Sequence, residues 1–207
     1  MVLFMTLADM ARRLNQEYMA SRRNQKNLPA AFFITDQNSV PEPEKIITRL
    51  PEYCAVIFRD YDHPARENMG WKLSQTCQKK GLTFLVAGDI SLAEKLMAGG
   101  IHLPQGLMHL APQIRAKHSR WIITAACHDM ASVLQANKLP LDAALLAPVF
   151  PTLSHPGDVS LGLSMVGKMT ASTTMPLYAL GGVTCENAAD LAGSGIAGLA
   201  AIRGFKD

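Results

Sequence analysis

The feature that most constrains this chain is a repeated alternation. From Pro29 onward, short apolar runs alternate with stretches of helical character. The strand candidates are FFIT at 32–35, AVIFR at 55–59, TFLVA at 83–87, GIHL at 100–103, WIITAA at 121–126, AALLAP at 143–148, PLYALG at 176–181 and GLAAI at 198–202. Helices are expected from about Pro43, then over Arg66–Lys80, Leu92–Ala98, Leu110–Lys117, Met130–Asn137, Leu161–Thr170 and Glu186–Ala192. The strand runs carry little polar alternation, as parallel strands covered on both faces require. Eight units at a spacing of roughly 24 residues predict an α/β protein, a single (β/α)8 or TIM barrel. A doubly wound open sheet would carry about five or six strands and a glycine-rich turn after the first. Here the first strand is followed by QNSVPEPEK, which has no glycine.

One unit is incomplete. After the last strand only Arg203–Asp207 remains, too short for a covering helix. At the other end Leu3, Leu7, Met10, Leu14 and Tyr18 recur at helical spacing and predict an extra amphipathic helix over about residues 5–25. The expected organisation is an N-terminal helical segment, 1–28, and a barrel, 29–207, with the helix packed beside the last strand where the final helix is missing or truncated. A homodimer contact is the alternative use of the same stripe. The net charge of +3 also sits in residues 1–28, where Arg12, Arg13, Arg22, Arg23 and Lys26 face only Asp9 and Glu17. The other 15 basic and 15 acidic residues cancel, which argues against a nucleic-acid face. No apolar run approaches the ~20 residues of a membrane span. Cys54, Cys77, Cys127 and Cys185 show neither a CxxC nor a zinc spacing and read as free buried thiols. With no signal-peptide order at the N-terminus, the expected compartment is the cytoplasm.

In such a barrel, ligands bind at the C-terminal ends of the strands. Those ends carry Asp36, Arg59, Asp89, His102, Gln105, His128, the 147–157 segment, Gly181-Gly182 and Arg203-Gly204. The glycine pair after strand seven lets backbone N–H groups approach a phosphate closely, and Arg203 after strand eight adds a guanidinium fork. A helix opening at Thr184 and Glu186 is expected to aim its N-terminus there. A tight turn with a surface arginine is the competing reading. The connection PVFPTLSHPG, 148–157, is restrained by three prolines and offers Thr152, Ser154 and His155. It reads as a lid and phosphate clamp, or as an ordinary proline-rich connection.

Five segments, taken in order, resemble the thiamine-phosphate synthase family, including its thiazole tautomerase relatives. They are FFITD, GIHLPQ, APVFPTLSH, ALGGV and AGSGIAGLAAI, and they run from about Pro29 to the C-terminus. The resemblance implies a (β/α)8 barrel that joins hydroxymethylpyrimidine diphosphate to thiazole phosphate with Mg2+ assistance and release of pyrophosphate. It implies small phosphate and diphosphate ligands as partners. Arg59 is then the diphosphate contact and Asp89 the Mg2+ ligand. Thr152, Ser154, Gly181 and Gly182, with Arg203 and Gly204 beside them, hold phosphate.

The chain departs from the family pattern at named positions. Ile57 stands for a glutamine, Tyr61 for a lysine, Leu107 for a second metal-binding aspartate, and Arg203 for a serine. His155 stands for a lysine, so a permanent charge becomes a titratable imidazole. His128 matches a histidine of the tautomerase relatives and is the candidate general acid/base there. His102, inside strand four, is expected to be a packed, hydrogen-bonded residue. The expected function is a thiamine-phosphate synthase. The alternatives are a thiazole tautomerase using His128 and a non-catalytic phosphate-binding barrel.

Overall fold

The apolar runs become strands. The computed structural model describes residues 5–22, 26–152 and 159–206. Within them β1 (Ala31–Ile34), β2 (Cys54–Phe58), β3 (Thr83–Ala87), β4 (Gly100–Leu103), β5 (Ile122–Cys127), β6 (Ala143–Leu146), β7 (Leu177–Ala179) and β8 (Gly198–Ala201) form a closed barrel in sequence order. All neighbours are parallel, and β1 closes the barrel by pairing with both β2 and β8, Ala31 lying level with Cys54 and with Leu199. The helices are α1 (Leu7–Ser21), α2 (Pro43–Arg49), α3 (Arg66–Lys79), α4 (Ile90–Lys95), α5 (Ala111–Lys117), α6 (Met130–Ala136) and α7 (Gly162–Ala171). None of the described helices is long and apolar enough to cross a membrane.

Side chains alternate between two cores, as the strand period of two dictates. Phe33, Val56, Phe58, Val86 and Ile101 point outward to the helices, while Phe32, Ile34, Ala55, Ile57 and Leu85 fill the interior. Tyr178 plugs the N-terminal end of the barrel. Its ring meets Phe32 edge-on at 4.9 Å, and its hydroxyl donates to Pro29 O at 2.6 Å. Residue 198 must be glycine for this plug to fit, since a Cβ there would sit 2.7 Å from a Tyr178 ring carbon.

Three expected helices differ from those observed. The helix placed at Leu92–Ala98 is α4, shifted toward the N-terminus because the Asp89 carboxylate caps it, accepting the Leu92 N–H at 2.9 Å. The stretch before α5 is a 3-10 helix, Gln105–Leu110, so the α-helix starts one residue later, at Ala111. The helix expected over Glu186–Ala192 is only a 3-10 turn, Ala188–Leu191. Asn187 explains this. Its side chain accepts from Thr184 N–H and donates to Gly182 O, holding the segment as a local turn. Among the described residues no α-helix stands between β7 and β8.

Helix α1 begins at a capping box. Thr6 Oγ1 accepts the Asp9 N–H, and Asp9 accepts the Thr6 N–H. The helix buries Leu7, Ala8, Ala11, Leu14 and Tyr18, so the buried face is shifted from the expected stripe: Met10 is only partly covered, and Leu3 lies outside the described residues. The face lies against the last strand. Asn15 Nδ2 donates to Ala197 O at 2.8 Å, and Leu7 packs so closely on Gly204 that a Cβ there would lie 2.5 Å from its Cδ2. The basic residues nearby act as tethers. Arg22 donates to the carbonyls of Thr170 and Thr173, and Lys26 meets Asp142 at 2.8 Å. Cys54, Cys77 and Cys127 are buried free thiols as expected, whereas Cys185 is exposed. Burial pushes the Cys54 and Cys77 thiols up to about 12, so neither is a nucleophile at neutral pH.

Candidate active site at the barrel mouth

At the C-terminal ends of β1 and β2 a small network fixes Arg59. Buried Thr35 accepts the Arg59 N–H at 3.0 Å and donates its hydroxyl to Asp60. Asp60 also accepts the Gln37 N–H, so the two loops are stitched together. The Arg59 guanidinium then pairs with Asp36 at 2.7 Å, and about a third of its side chain is exposed. Arg203, beyond β8, is exposed and donates to Ser39 Oγ at 3.1 Å. Guanidinium groups from β2 and β8 thus flank the loop that follows β1.

A second cluster lies beyond β2 and β3. Arg66, the first residue of α3, donates from Nη2 to Ala87 O at 2.9 Å. Its guanidinium lies over Phe58 and over Tyr61, 5.5 and 5.2 Å from the ring centroids. Tyr61 in turn presses on Gly88, where φ is +70° and a Cβ would lie 3.1 Å from the ring. Asp89 Oδ2 lies 3.5 Å from Arg66 Nη1.

The barrel wall supplies two imidazoles. His102 points inward from β4, level with Thr124 of β5, and its Nδ1 lies 2.9 Å from Thr124 Oγ1. Burial, reinforced by the positive charge of Arg59 and by His128, lowers its pKa to about 4, so it is neutral near pH 7. His128 follows β5 and is exposed, with Nδ1 2.6 Å from Ala147 O. A carbonyl can only accept, so Nδ1 carries the proton and Nε2 keeps a free lone pair in the neutral ring.

The glycine pair after β7 is explained by close packing. At Gly181, φ is +88° and a Cβ would lie 2.8 Å from Pro148 Cα; at Gly182, φ is +68° and a Cβ would lie 2.4 Å from Pro151 O. The N–H groups of Val149 and Phe150 donate to Leu180 O and Gly181 O. These bonds extend the β6–β7 pairing beyond the strands, and Thr152, two residues on from Phe150, is half-buried. Ser154 and His155 lie outside the described residues. Gly204 is held against α1 by Leu7, on the outer side of the barrel.

The donor set does not fit a resident Mg2+. Magnesium favours several oxygen ligands in octahedral geometry. Asp89 gives one oxygen to its helix cap and turns the other toward a guanidinium, which repels a cation. At the other expected position Leu107 packs on the core. Among the described residues no group of three acidic, imidazole or thiol side chains could hold a metal.

Arg66, Thr35 and Asp60 were not singled out by sequence reasoning. Arg66 reads there as an ordinary first-turn residue of a helix. The spacing of seven residues from Arg59 across a β-α turn is the only signal that it returns to the same rim.

These features define a (β/α)8 barrel whose mouth gathers guanidinium, carboxylate and imidazole groups around a glycine-tightened loop. The chain belongs to the thiamine monophosphate synthase family, whose family model matches residues 31–205. A thiamine-phosphate synthase of Thioalkalivibrio sulfidiphilus is 30% identical over 144 residues, 69% of this chain and 68% of that protein. A thiamine biosynthesis bifunctional protein of Geobacter sulfurreducens is 26% identical over 81% of this chain, which spans 34% of that relative's length. Among solved structures, thiamine phosphate pyrophosphorylase from Pyrococcus furiosus superposes with a TM-score of 0.68 at 26% identity, covering 83% of this chain and 84% of that one. A citrate synthase structure at 13% identity and a TM-score of 0.60 shares the fold alone.

Proposed function

We propose that the protein is a thiamine-phosphate synthase acting in thiamine biosynthesis, a transferase that joins hydroxymethylpyrimidine diphosphate to thiazole phosphate. The observation that carries this reading is Arg59, held at the mouth by Thr35 and Asp36, in a chain of this family. In the reaction the pyrimidine CH2–O bond breaks and its electron pair leaves with pyrophosphate. The thiazole nitrogen lone pair then forms the new C–N bond, so atoms and electrons balance without a redox partner. Arg59 neutralises charge gathering on the departing diphosphate, where a fixed guanidinium in a partly desolvated site is most effective. Gly181 and Gly182, locked to the 148–151 segment, leave backbone beside Thr152 to cradle the thiazole phosphate. The neutral state of His102 keeps a further charge out of the barrel interior. No step is routed through the Mg2+ expected from the resemblance, because Asp89 and Leu107 do not fit it. A reducing cytoplasm is the compartment this reading entails, in keeping with the buried free thiols of Cys54, Cys77 and Cys127.

The test is incubation of the purified protein with both substrates. Thiamine phosphate and pyrophosphate are expected, with Arg59→Gln lowering kcat/KM by about 10²-fold or more. Absence of product overturns the synthase reading. A second reading, thiazole tautomerase, is favoured by one observation: the free Nε2 lone pair of exposed His128. A tautomerase rate that His128→Ala leaves unchanged removes it.

A further inference from the structure

The donor set that fails to fit Mg2+ contains a cation of its own. Where the resemblance expects a lysine, the chain has Tyr61, and the positive charge comes instead from Arg66, five residues on. The Tyr61 ring forms part of the bed on which that charge rests: Arg66 lies over Tyr61 and Phe58, and Tyr61 is wedged on Gly88. The guanidinium is firmly placed but not saturated. It makes one short bond, to Ala87 O, and its separation of 3.5 Å from Asp89 is too long for a charge-assisted hydrogen bond. Phe58, on whose ring Arg66 lies, directly precedes Arg59, and Arg66 bonds the last carbonyl of β3, so both arginines stand at the β2–β3 side of the rim.

We propose that Arg66 acts with Arg59 as a diphosphate clamp that takes the place of a resident divalent cation, Asp89 serving to cap α4 rather than to bind metal. This rests on the reading above only in taking the ligand to carry a diphosphate. Two planar forks suit a diphosphate because each presents paired N–H donors to paired oxygens. An arginine cannot be stripped by a chelator, so binding by this clamp does not require a metal.

Calorimetric titration of the full-length protein with inorganic pyrophosphate, in EDTA and in excess Mg2+, tests this. Wild-type protein should bind pyrophosphate in EDTA no more than about threefold weaker than in excess Mg2+, and Arg66→Gln should weaken binding in EDTA by about tenfold or more. Asp89→Asn keeps the helix cap, since asparagine caps as well as aspartate, and removes a negative charge beside the anion. It should leave binding in EDTA unchanged or tighten it. Pyrophosphate that binds only with Mg2+, or an Asp89→Asn variant that loses binding in Mg2+, overturns the clamp while leaving the synthase reading intact. Arg66→Gln binding as well as wild type also overturns it, with a thermal melt confirming that the variant is folded. Metal-free binding in a protein that turns over neither substrate sinks the synthase reading and leaves the clamp standing. No pyrophosphate binding in either condition overturns both.

Discussion

At the residue scale, His102 shows how a strand dictates chemistry. Its position in β4 sends the ring into the barrel, and burial there favours the neutral imidazole, with a pKa of about 4 against an ordinary 6.5. The unfolded chain therefore binds a proton that the folded one refuses between those two values. Stability rises with pH across that window and is lost as pH falls from about 6.5 toward 4. Denaturant unfolding should show this group removing about 2–3 kcal/mol between pH 7 and pH 4.5. His102→Gln should lose correspondingly less over the same interval, and an equal loss in both proteins would refute the assignment. The glycines offer a second contrast. Gly182→Ala places a methyl against the carbonyls of Phe150 and Pro151 at a positive φ, and should cost about 1–3 kcal/mol or more. Gly106→Ala meets nothing within 4 Å and should stay within about 0.5 kcal/mol, both read from urea midpoints.

At the scale of elements, α1 is the piece that the barrel needs from outside its own repeat. Its buried face lies along β8, which no helix of its own follows among the described residues. Leu14→Ala should therefore destabilise by about 2–5 kcal/mol, as for a core leucine. Arg13→Ala on the opposite face breaks only an exposed pair with Glu17 and should change stability by less than about 0.5 kcal/mol in the same denaturation assay. This division was legible in the sequence, because strands buried on both faces and a helix with one apolar stripe leave different periodicities. TFLVA and GIHL coincide with β3 and β4 residue for residue. The segment after β7 was not legible, because Glu186–Ala192 has helical composition and only the two-sided Asn187 bonding reveals a turn. Arg59 was legible as a strand-end residue, whereas Arg66 was not: its place depends on Phe58, Tyr61 and Ala87, which the chain brings together only by closing two β-α units.

Across the whole molecule, the barrel separates stability from chemistry along its axis. The N-terminal end is sealed by Phe32 and Tyr178 over Pro29, and the polar groups collect at the opposite end. The two sets of groups share no partner, and changes at well-separated sites without shared partners add independently. The seal and the mouth should therefore respond independently. Tyr178→Phe removes the 2.6 Å bond to Pro29 O and leaves that carbonyl without its donor, at a cost of about 1–3 kcal/mol. Its pyrophosphate Kd should remain within about twofold of wild type, since a buried bond at the far end leaves the guanidinium positions untouched. Arg59→Gln should do the reverse. It removes a part-exposed pair with Asp36, worth about 0–1 kcal/mol to stability, yet should weaken pyrophosphate binding by about tenfold or more. Urea unfolding and calorimetric titration on the two variants would establish this. If Tyr178→Phe weakened pyrophosphate binding as strongly as Arg59→Gln, the interior would be transmitting strain to the mouth, and the barrel would act as a single coupled body.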